Sequence, residues 1–232
     1  MKLLVFSSVG DNTQFYKHWL SQNSNYLFNI YLVYYGKNEQ NYELYKQYCN
    51  FILKRKGSKF QNLYYCYCKY YKFFIQYDYL FILDDDIIIS QADINKMFDY
   101  AKKYKLSICQ PSFTKHSKIS HSITLHEPNR VLSYTNFVEM NTPLYSRKAL
   151  FNLMKSYTPE LIAWGIDLYS IILNGIHEQK SYAIIHDVQC TNPQDNNKKN
   201  KTREHTNIEN YHLEFDNWLA FAKRYKLPIN YN

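Results

Sequence analysis

Along the first half of the chain the spacing of apolar and polar positions changes several times, and each change marks an element. "KLLVFSS" is a continuous apolar run of the length of a buried strand. Asp11 stands where it could cap a helix running through "NTQFYKHWLSQ". "YLFNIYLVYY" predicts a second strand and "EQNYELYKQYCNFI" a helix. After the basic turn "KRKGSK", helical spacing returns in "FQNLYYCYCKYYKFFIQ" and gives way to the strand "YLFIL". Ser90 with Asp93 three residues on resembles a capping box, and Ile94, Met97, Phe98, Ala101 and Tyr104 follow on one helical face. "LSICQP" is again strand-like. This βαβαβ order predicts an α/β fold whose central sheet is mixed but mainly parallel, with helices on both faces.

The second half is less regular. A polar stretch, "TKHSKISHSITLHEPNR", precedes a strand-like "NFVEMNTPLYS" and a helix after Ser146. Near the end Thr206 and Glu209 could box the start of a helix with Ile208, Tyr211, Phe215, Trp218, Leu219, Ala222 and Tyr225 in one stripe.

Composition adds limits. The chain has 232 residues, 46% of them hydrophobic, enough to bury a substantial core, and no linker divides it, so one domain over 1–232 is expected. No run approaches the roughly 18 apolar residues of a membrane span, and the start "MKLLVFSSVGDN" reads as a strand rather than a signal peptide. Five cysteines (Cys49, Cys66, Cys68, Cys109, Cys190) lack framework spacing, which favours reduced thiols and a cytoplasmic location. A formal net charge of +8 suits an anionic partner without choosing among nucleic acid, an anionic lipid surface and a phosphorylated small substrate. Lysines gather at 54–59, 102–105 and 198–201, and the last of these reads as a solvated loop. The 25 tyrosines accompany abundant Asn, Lys and Ile, as AT-rich coding would produce, so they say little about stacking on bases or sugars.

Candidate chemistry centres on "YDYLFILDDDIIISQADI". Three adjacent carboxylates repel one another and suit a strand poorly, so water, a helix N-terminus or a metal ion has to compensate them. They begin where an apolar strand ends, the place at which open α/β sheets collect ligands. In an extended chain Asp84 and Asp86 point to one side and Asp85 to the other, so two carboxylates can share a hard cation that keeps places for substrate phosphates. The same residues could instead form a turn capping the next helix. With five glycines and neither GxGxxG nor GxxxxGK[ST], the chain lacks the usual backbone cradles for phosphate, and GxSxG and HExxH are absent too.

A hydrophobic strand ending in Asp-Asp-Asp resembles the DxD motif of nucleotide-sugar-dependent glycosyltransferases of the GT-A (nucleotide-diphospho-sugar transferase, Rossmann-like) fold. More narrowly, "GSKFQNL", "YDYLFILDDDI", "ICQPS", "HSITL", "FVEMNTPLYSR" and "LIAWGIDLY" follow the order of a plant and bacterial family of uncharacterised GT-A-like proteins related to a chlorella-virus glycosyltransferase domain. The resemblance implies a nucleotide-binding half at 1–110, an acceptor and catalytic half at 111–193, and a polar loop with a C-terminal helix at 194–232. It implies Asp86 as ligand to Mn²⁺ or Mg²⁺ and Asp84 toward the ribose or the metal's water shell, while Asp85, also on the nucleotide side, contributes least. Gly57 and Lys59 match the nucleotide-side GxK block, and Ser7, Ser8 and Val9 fall where the base is contacted. Asp167 is implied as general base, with Glu139, Trp164 and Gly165 on the acceptor side. The family's late metal ligand is a His six residues after an Asp; here His186 and Asn192 occupy those places, so Asn192, His186 or Asp187 could complete the metal site. Plainer uses stay open: Lys59 as a surface lysine, Asp167 as a helix-start carboxylate, Glu139 as a structural one.

The expected activity is metal-dependent transfer of a sugar, inverting, from a nucleotide diphosphate (UDP foremost) to a glycan hydroxyl, without nucleic acid or integral membrane segment and with peripheral membrane contact allowed. A nucleotidyltransferase of the same fold and a non-enzymatic basic binding module are the alternatives. Donor sugar, acceptor and oligomeric state are not written in the sequence.

Overall fold

The computed structural model describes residues 1–13, 15–20, 27–178, 180–193 and 210–229. Its strands are β1 (Leu3–Val9), β2 (Asn29–Tyr34), β3 (Phe51–Lys54), β4 (Tyr79–Ile82), β5 (Ile108–Phe113), β6 (Leu132–Tyr134), β7 (Leu144–Ser146) and β8 (Tyr182–Cys190). The helices are α1 (Phe15–His18), α2 (Glu39–Lys46), α3 (Lys59–Lys69), α4 (Tyr71–Phe74), α5 (Gln91–Lys103), α6 (Arg147–Ser156), α7 (Ile166–Asn174) and α8 (Glu214–Tyr225). The strands form one sheet in the order β3-β2-β1-β4-β7-β5-β8-β6. The pairs β1–β2, β1–β4, β2–β3 and β5–β8 are parallel; β7 runs antiparallel to both β4 and β5, as does β6 to β8. The expected mixed, mainly parallel sheet with helices on both faces is what the chain forms.

Period-two alternation divides the core. Leu4 and Phe6 of β1, with Leu80 and Ile82 of β4, face a cluster built with Phe60 and Leu63 of α3, Leu150 and Leu153 of α6, Ile166 of α7 and Trp218 of α8. Leu3, Val5 and Val9, with Phe81 and Leu83, face the opposite cluster of Phe15, Trp19, Tyr45, Ile94 and Phe98. Because the strands are covered on both sides, they read as continuous apolar runs rather than alternating ones.

Several elements depart from the sequence pattern. The helix expected through residue 52 stops at Lys46, and Phe51–Lys54 forms the edge strand β3. Asn50 ends the helical run by exchanging hydrogen bonds with Ile30, its N–H to the Ile30 carbonyl at 3.0 Å and its Oδ1 accepting the Ile30 N–H at 2.8 Å. The long helix expected at 60–76 breaks at Tyr70 (φ −119°, ψ 38°) into α3 and α4. Asp11 does not cap α1; its carboxylate accepts the Lys37 N–H at 2.9 Å, the Asn38 N–H at 3.2 Å and the Tyr34 hydroxyl, pinning the loop ahead of α2. Only Leu144–Ser146 of "NFVEMNTPLYS" is a strand. Ser90 caps α5, as expected, and the helix expected after Ser146 is α6, with Ser146 as its cap. On α8 the buried face is Trp218, Phe221 and Ala222, while Phe215 and Tyr225 are exposed. Thr206, Glu209, Ile208 and the lysine run at 198–201 lie outside the described residues.

Candidate functional site

The carboxyl ends of β1 and β4 open into a cleft of about 660 Å³ bordered by the start of α3, the 139–141 segment, the turn into α7 and α8. The pleat of β1 decides which of its residues reach it. Ser8 does, its hydroxyl accepting Asn62 Nδ2 of α3 at 2.9 Å. Ser7 and Val9 point the other way: Val9 packs in the core, and the Ser7 hydroxyl donates to the Leu83 carbonyl at 2.8 Å. α3 begins with a reciprocal capping box between Ser58 and Gln61, which fixes Lys59 as its first residue. Gly57 precedes it with φ +148°, and a Cβ there would lie 2.6 Å from the Arg55 guanidinium and 2.9 Å from Asn62 Oδ1.

Lys59 turns inward. Its side chain is 6% exposed, and Nζ meets Asp84 Oδ1 at 2.7 Å, the Met140 carbonyl at 2.6 Å and the Asn141 carbonyl at 3.2 Å. Burial pulls its pKa below the usual lysine value, and Asp84 first, then Asp86 and Asp85, act to hold it up. The three aspartates do not continue an extended chain: Asp85 and Asp86 form a turn closed by the Ile87 N–H to the Asp84 carbonyl at 3.3 Å. The Asp85 carboxylate accepts the Gly10 N–H at 2.9 Å and its carbonyl accepts the Thr13 hydroxyl at 2.9 Å, which ties the end of β1 to the end of β4. Asp86 is exposed, and all three line the cleft.

Across the cleft, Glu139 is only 4% exposed. Its Oε2 accepts Asn141 Nδ2 at 3.1 Å, while Oε1 is buried without a hydrogen-bond partner. Burial, then the charges of Asp167 and Asp84, push its pKa up to about 8; Thr124 offsets this in part, although its hydroxyl donates to the His121 carbonyl at 2.8 Å. Asp167 lies in the first turn of α7, one carboxylate oxygen accepting the Leu168 N–H at 2.8 Å. α7 can start there because Gly165 takes φ +82°, and a Cβ on it would lie 2.1 Å from the Trp218 ring. Trp164, 52% exposed, stands at the rim with its ring perpendicular to Phe215 at 5.4 Å.

Asn192 lines the cleft as well; its Nδ2 donates to the Lys118 carbonyl at 3.2 Å, and its Oδ1 takes no hydrogen bond among the described residues. His186 does not reach the cleft. It is buried, its Nδ1 accepting the Glu127 N–H at 3.1 Å and its Nε2 2.9 Å from the Ser133 hydroxyl, and burial lowers its pKa. Asp187 is exposed and takes the Tyr100 hydroxyl. Among the described residues no three His, Cys, Asp or Glu side chains converge as a metal cluster. The oxygen donors that do line the cleft, Asp84, Asp86 and Asn192, match the chemistry of a hard cation that brings phosphate oxygens with it, not of a closed protein cage.

Asn141 was not singled out in the sequence and Trp218 only as a core position of the last helix, yet Asn141 links Lys59, Asp84 and Glu139, its carbonyl also accepting the Asp84 N–H at 2.9 Å. A polar residue two positions after Glu139 was the available cue; for Trp218 the stripe marked burial, not a place at the cleft. A second groove of about 530 Å³ at the β3 edge is lined by Tyr31, Tyr42, Phe51, Phe73 and neighbours, and no carboxylate borders it.

Residues 2–136 match the model of a family described as "Protein of unknown function (DUF707)". No curated protein matches the chain. Among solved structures, S. aureus TarS 1-349 in complex with UDP-GlcNAc superposes with a TM-score of 0.60 at 10% identity, covering 96% of this chain and 66% of that one. S. aureus TarS 1-349 gives 0.59 at 10% identity, covering 83% and 60%. GalNAc-T7 with UDP, GalNAc and Mn²⁺ gives 0.61 at 10% identity, covering 96% and 47%. At these identities the likeness is one of fold, an α/β Rossmann-like sheet flanked by helices as in GT-A glycosyltransferases, and the chain spans between 47% and 66% of the length of these structures.

Proposed function

We propose that this chain, a member of the DUF707 family, is a metal-dependent glycosyltransferase that moves a sugar from a nucleotide diphosphate, UDP foremost, to a glycan hydroxyl with inversion. The observation that carries this reading is the meeting of Lys59, Asp84, Asp86, Glu139, Asp167 and Asn192 in one cleft at the carboxyl ends of β1 and β4 of a GT-A-like sheet. Ser8 and Gly57 would wall the nucleoside, with residues 1–110 as the nucleotide half and 111–193 as the acceptor half. Asp84, Asp86 and Asn192 would hold Mn²⁺ or Mg²⁺. When bound, that ion supplies neutralisation of the diphosphate leaving group. Lys59, close to the same end, offsets the charge that grows on the leaving oxygen. Asp167 takes the proton of the acceptor hydroxyl as its oxygen bonds to the anomeric carbon and the bond to the diphosphate breaks, releasing the nucleoside diphosphate. Trp164 and Gly165 border the acceptor side.

The kinship with a chlorella-virus glycosyltransferase domain belongs to this reading and is supported by the ordered sequence blocks alone. No described helix is long and apolar enough to cross a membrane, and we place the activity in the cytoplasm. The nucleotidyltransferase alternative is separated by product, since it does not release a nucleoside diphosphate. The basic-module alternative is weakened by Lys54, which is committed to Glu39, and by Lys59, which is buried.

The test is a thermal-shift panel of UDP-, GDP- and dTDP-sugars, each with and without Mn²⁺, on the wild type and Asp86→Ala. A ligand at about 100 times its Kd should add roughly 2.7 kcal/mol. We expect one nucleotide class to stabilise the wild type only with Mn²⁺ and Asp86→Ala hardly at all. No stabilisation by any member of the panel would overturn the reading.

A further inference from the structure

The 139–141 segment is unusually committed. The Glu139 N–H donates to Gln110 Oε1 at 2.5 Å, the Met140 and Asn141 carbonyls hold Lys59 Nζ, and the Asn141 amide supports Glu139 Oε2 at 3.1 Å. Within it Glu139 Oε1 is buried on the cleft wall without a hydrogen-bond partner. A buried carboxyl oxygen left without a partner is costly, and such groups call for an explanation.

We propose that Glu139 receives a hydroxyl of the transferred sugar, and so selects the donor by the hydroxyl it carries at that position. This rests on the glycosyltransferase reading and moves Glu139 from the acceptor side to the group in flight. Its position argues for it. Glu139 is within electrostatic reach of Asp84, at the diphosphate end, and of Asp167, at the acceptor end, and the sugar has to lie between the two. The chemistry of the wall excludes other occupants. A phosphate seated against Oε1 itself would meet a buried carboxyl oxygen that no cationic side chain among the described residues reaches. An apolar group would leave Oε1 as it is. A sugar hydroxyl can donate to the unpartnered Oε1, which an apolar group cannot.

The experiment is calorimetric binding with Mn²⁺ of the free nucleoside diphosphate, the nucleotide sugar chosen by the thermal-shift panel, and its monodeoxy analogues, on the wild type, Glu139→Ala and Glu139→Gln. We expect the sugar to improve affinity over the free diphosphate about tenfold or more in the wild type. One deoxy analogue should lose most of that gain, in line with an unpaired buried group. In Glu139→Ala the gain should fall below about threefold, with the free diphosphate bound as before and the same deoxy analogue bound no worse than the parent sugar; Glu139→Gln, which keeps a donor and an acceptor, should retain part of it. If Glu139→Ala does not fold, the deoxy series on the wild type and Glu139→Gln carries the decision. An equal sugar gain in the wild type and the Glu139 variants overturns the assignment while leaving the function standing. Failure of every nucleotide to bind the folded wild type overturns both.

Discussion

Lys59 and Glu139 are the two ionisable side chains that the cleft buries, and both are held by residues 139–141. The raised pKa of Glu139 has a definite sign in stability. The folded protein keeps that proton up to about 8, whereas the unfolded chain releases it near 4.5. Between those values the native state binds more protons, so the contribution is full below about 4.5 and is lost as pH rises through about 8. Glu139→Gln cannot titrate, so with a chelator present its unfolding free energy should fall less steeply than that of the wild type between about pH 5 and 8, by up to roughly 1.4 kcal/mol per unit. Urea titrations across that range give the two slopes, and parallel slopes would mean that the carboxyl titrates normally. Much at this scale was legible: an acidic triplet after an apolar strand, a lysine beside a glycine and an acid after Trp-Gly all come to one cleft. What was not legible depended on folding. Asp85 spends its carboxylate on the Gly10 amide, a partner 75 positions away. Counting along β8 does not reveal that His186 turns to the Glu127 amide and the Ser133 hydroxyl rather than to the cleft, and past Ile185 the register shifts from Pro111↔Ile185 to Ser112↔Gln189.

At the scale of elements, the start of α7 is the joint on which Asp167 depends. Gly165 meets two demands at once, a left-handed backbone and an approach to the Trp218 ring that leaves no room for a Cβ. Gly165→Ala should therefore cost more than about 2 kcal/mol, the left-handed alanine accounting for 1–2 of it and the displaced ring for the rest. A guanidinium midpoint lowered without a change in slope would report it; a midpoint like that of the wild type would show that α8 yields easily. The Ser90 cap and the buried parallel strands were readable because they are local or carry a strong apolar pattern; the reciprocal box of Ser58 and Gln61 was not read. Nor was β3, since Phe51, Ile52 and Leu53 fit the end of a helix as well as an edge strand until Asn50 engages Ile30. β7 was read too long because only three residues of its segment pair, antiparallel between β4 and β5. Residues 139–141 of that segment form cleft wall instead.

Over the whole molecule, one sheet separates two cores, and on one side α3, α7 and α8 border the cleft. That arrangement also sorts the three tryptophans. Trp19 is sealed in one core, its indole N–H donating to the Ile87 carbonyl at 2.7 Å, and Trp218 in the other, donating to the Ile229 carbonyl at 3.3 Å. Trp164 stands in solvent at the rim, 52% exposed. The protein thus carries its own optical reporter of occupancy. Acrylamide should quench one of the three indoles, Trp164→Phe should abolish that quenchable fraction, and a glycan seated beside Asp167 should shield it without any label. Equal quenching in the variant would place the accessible indole elsewhere.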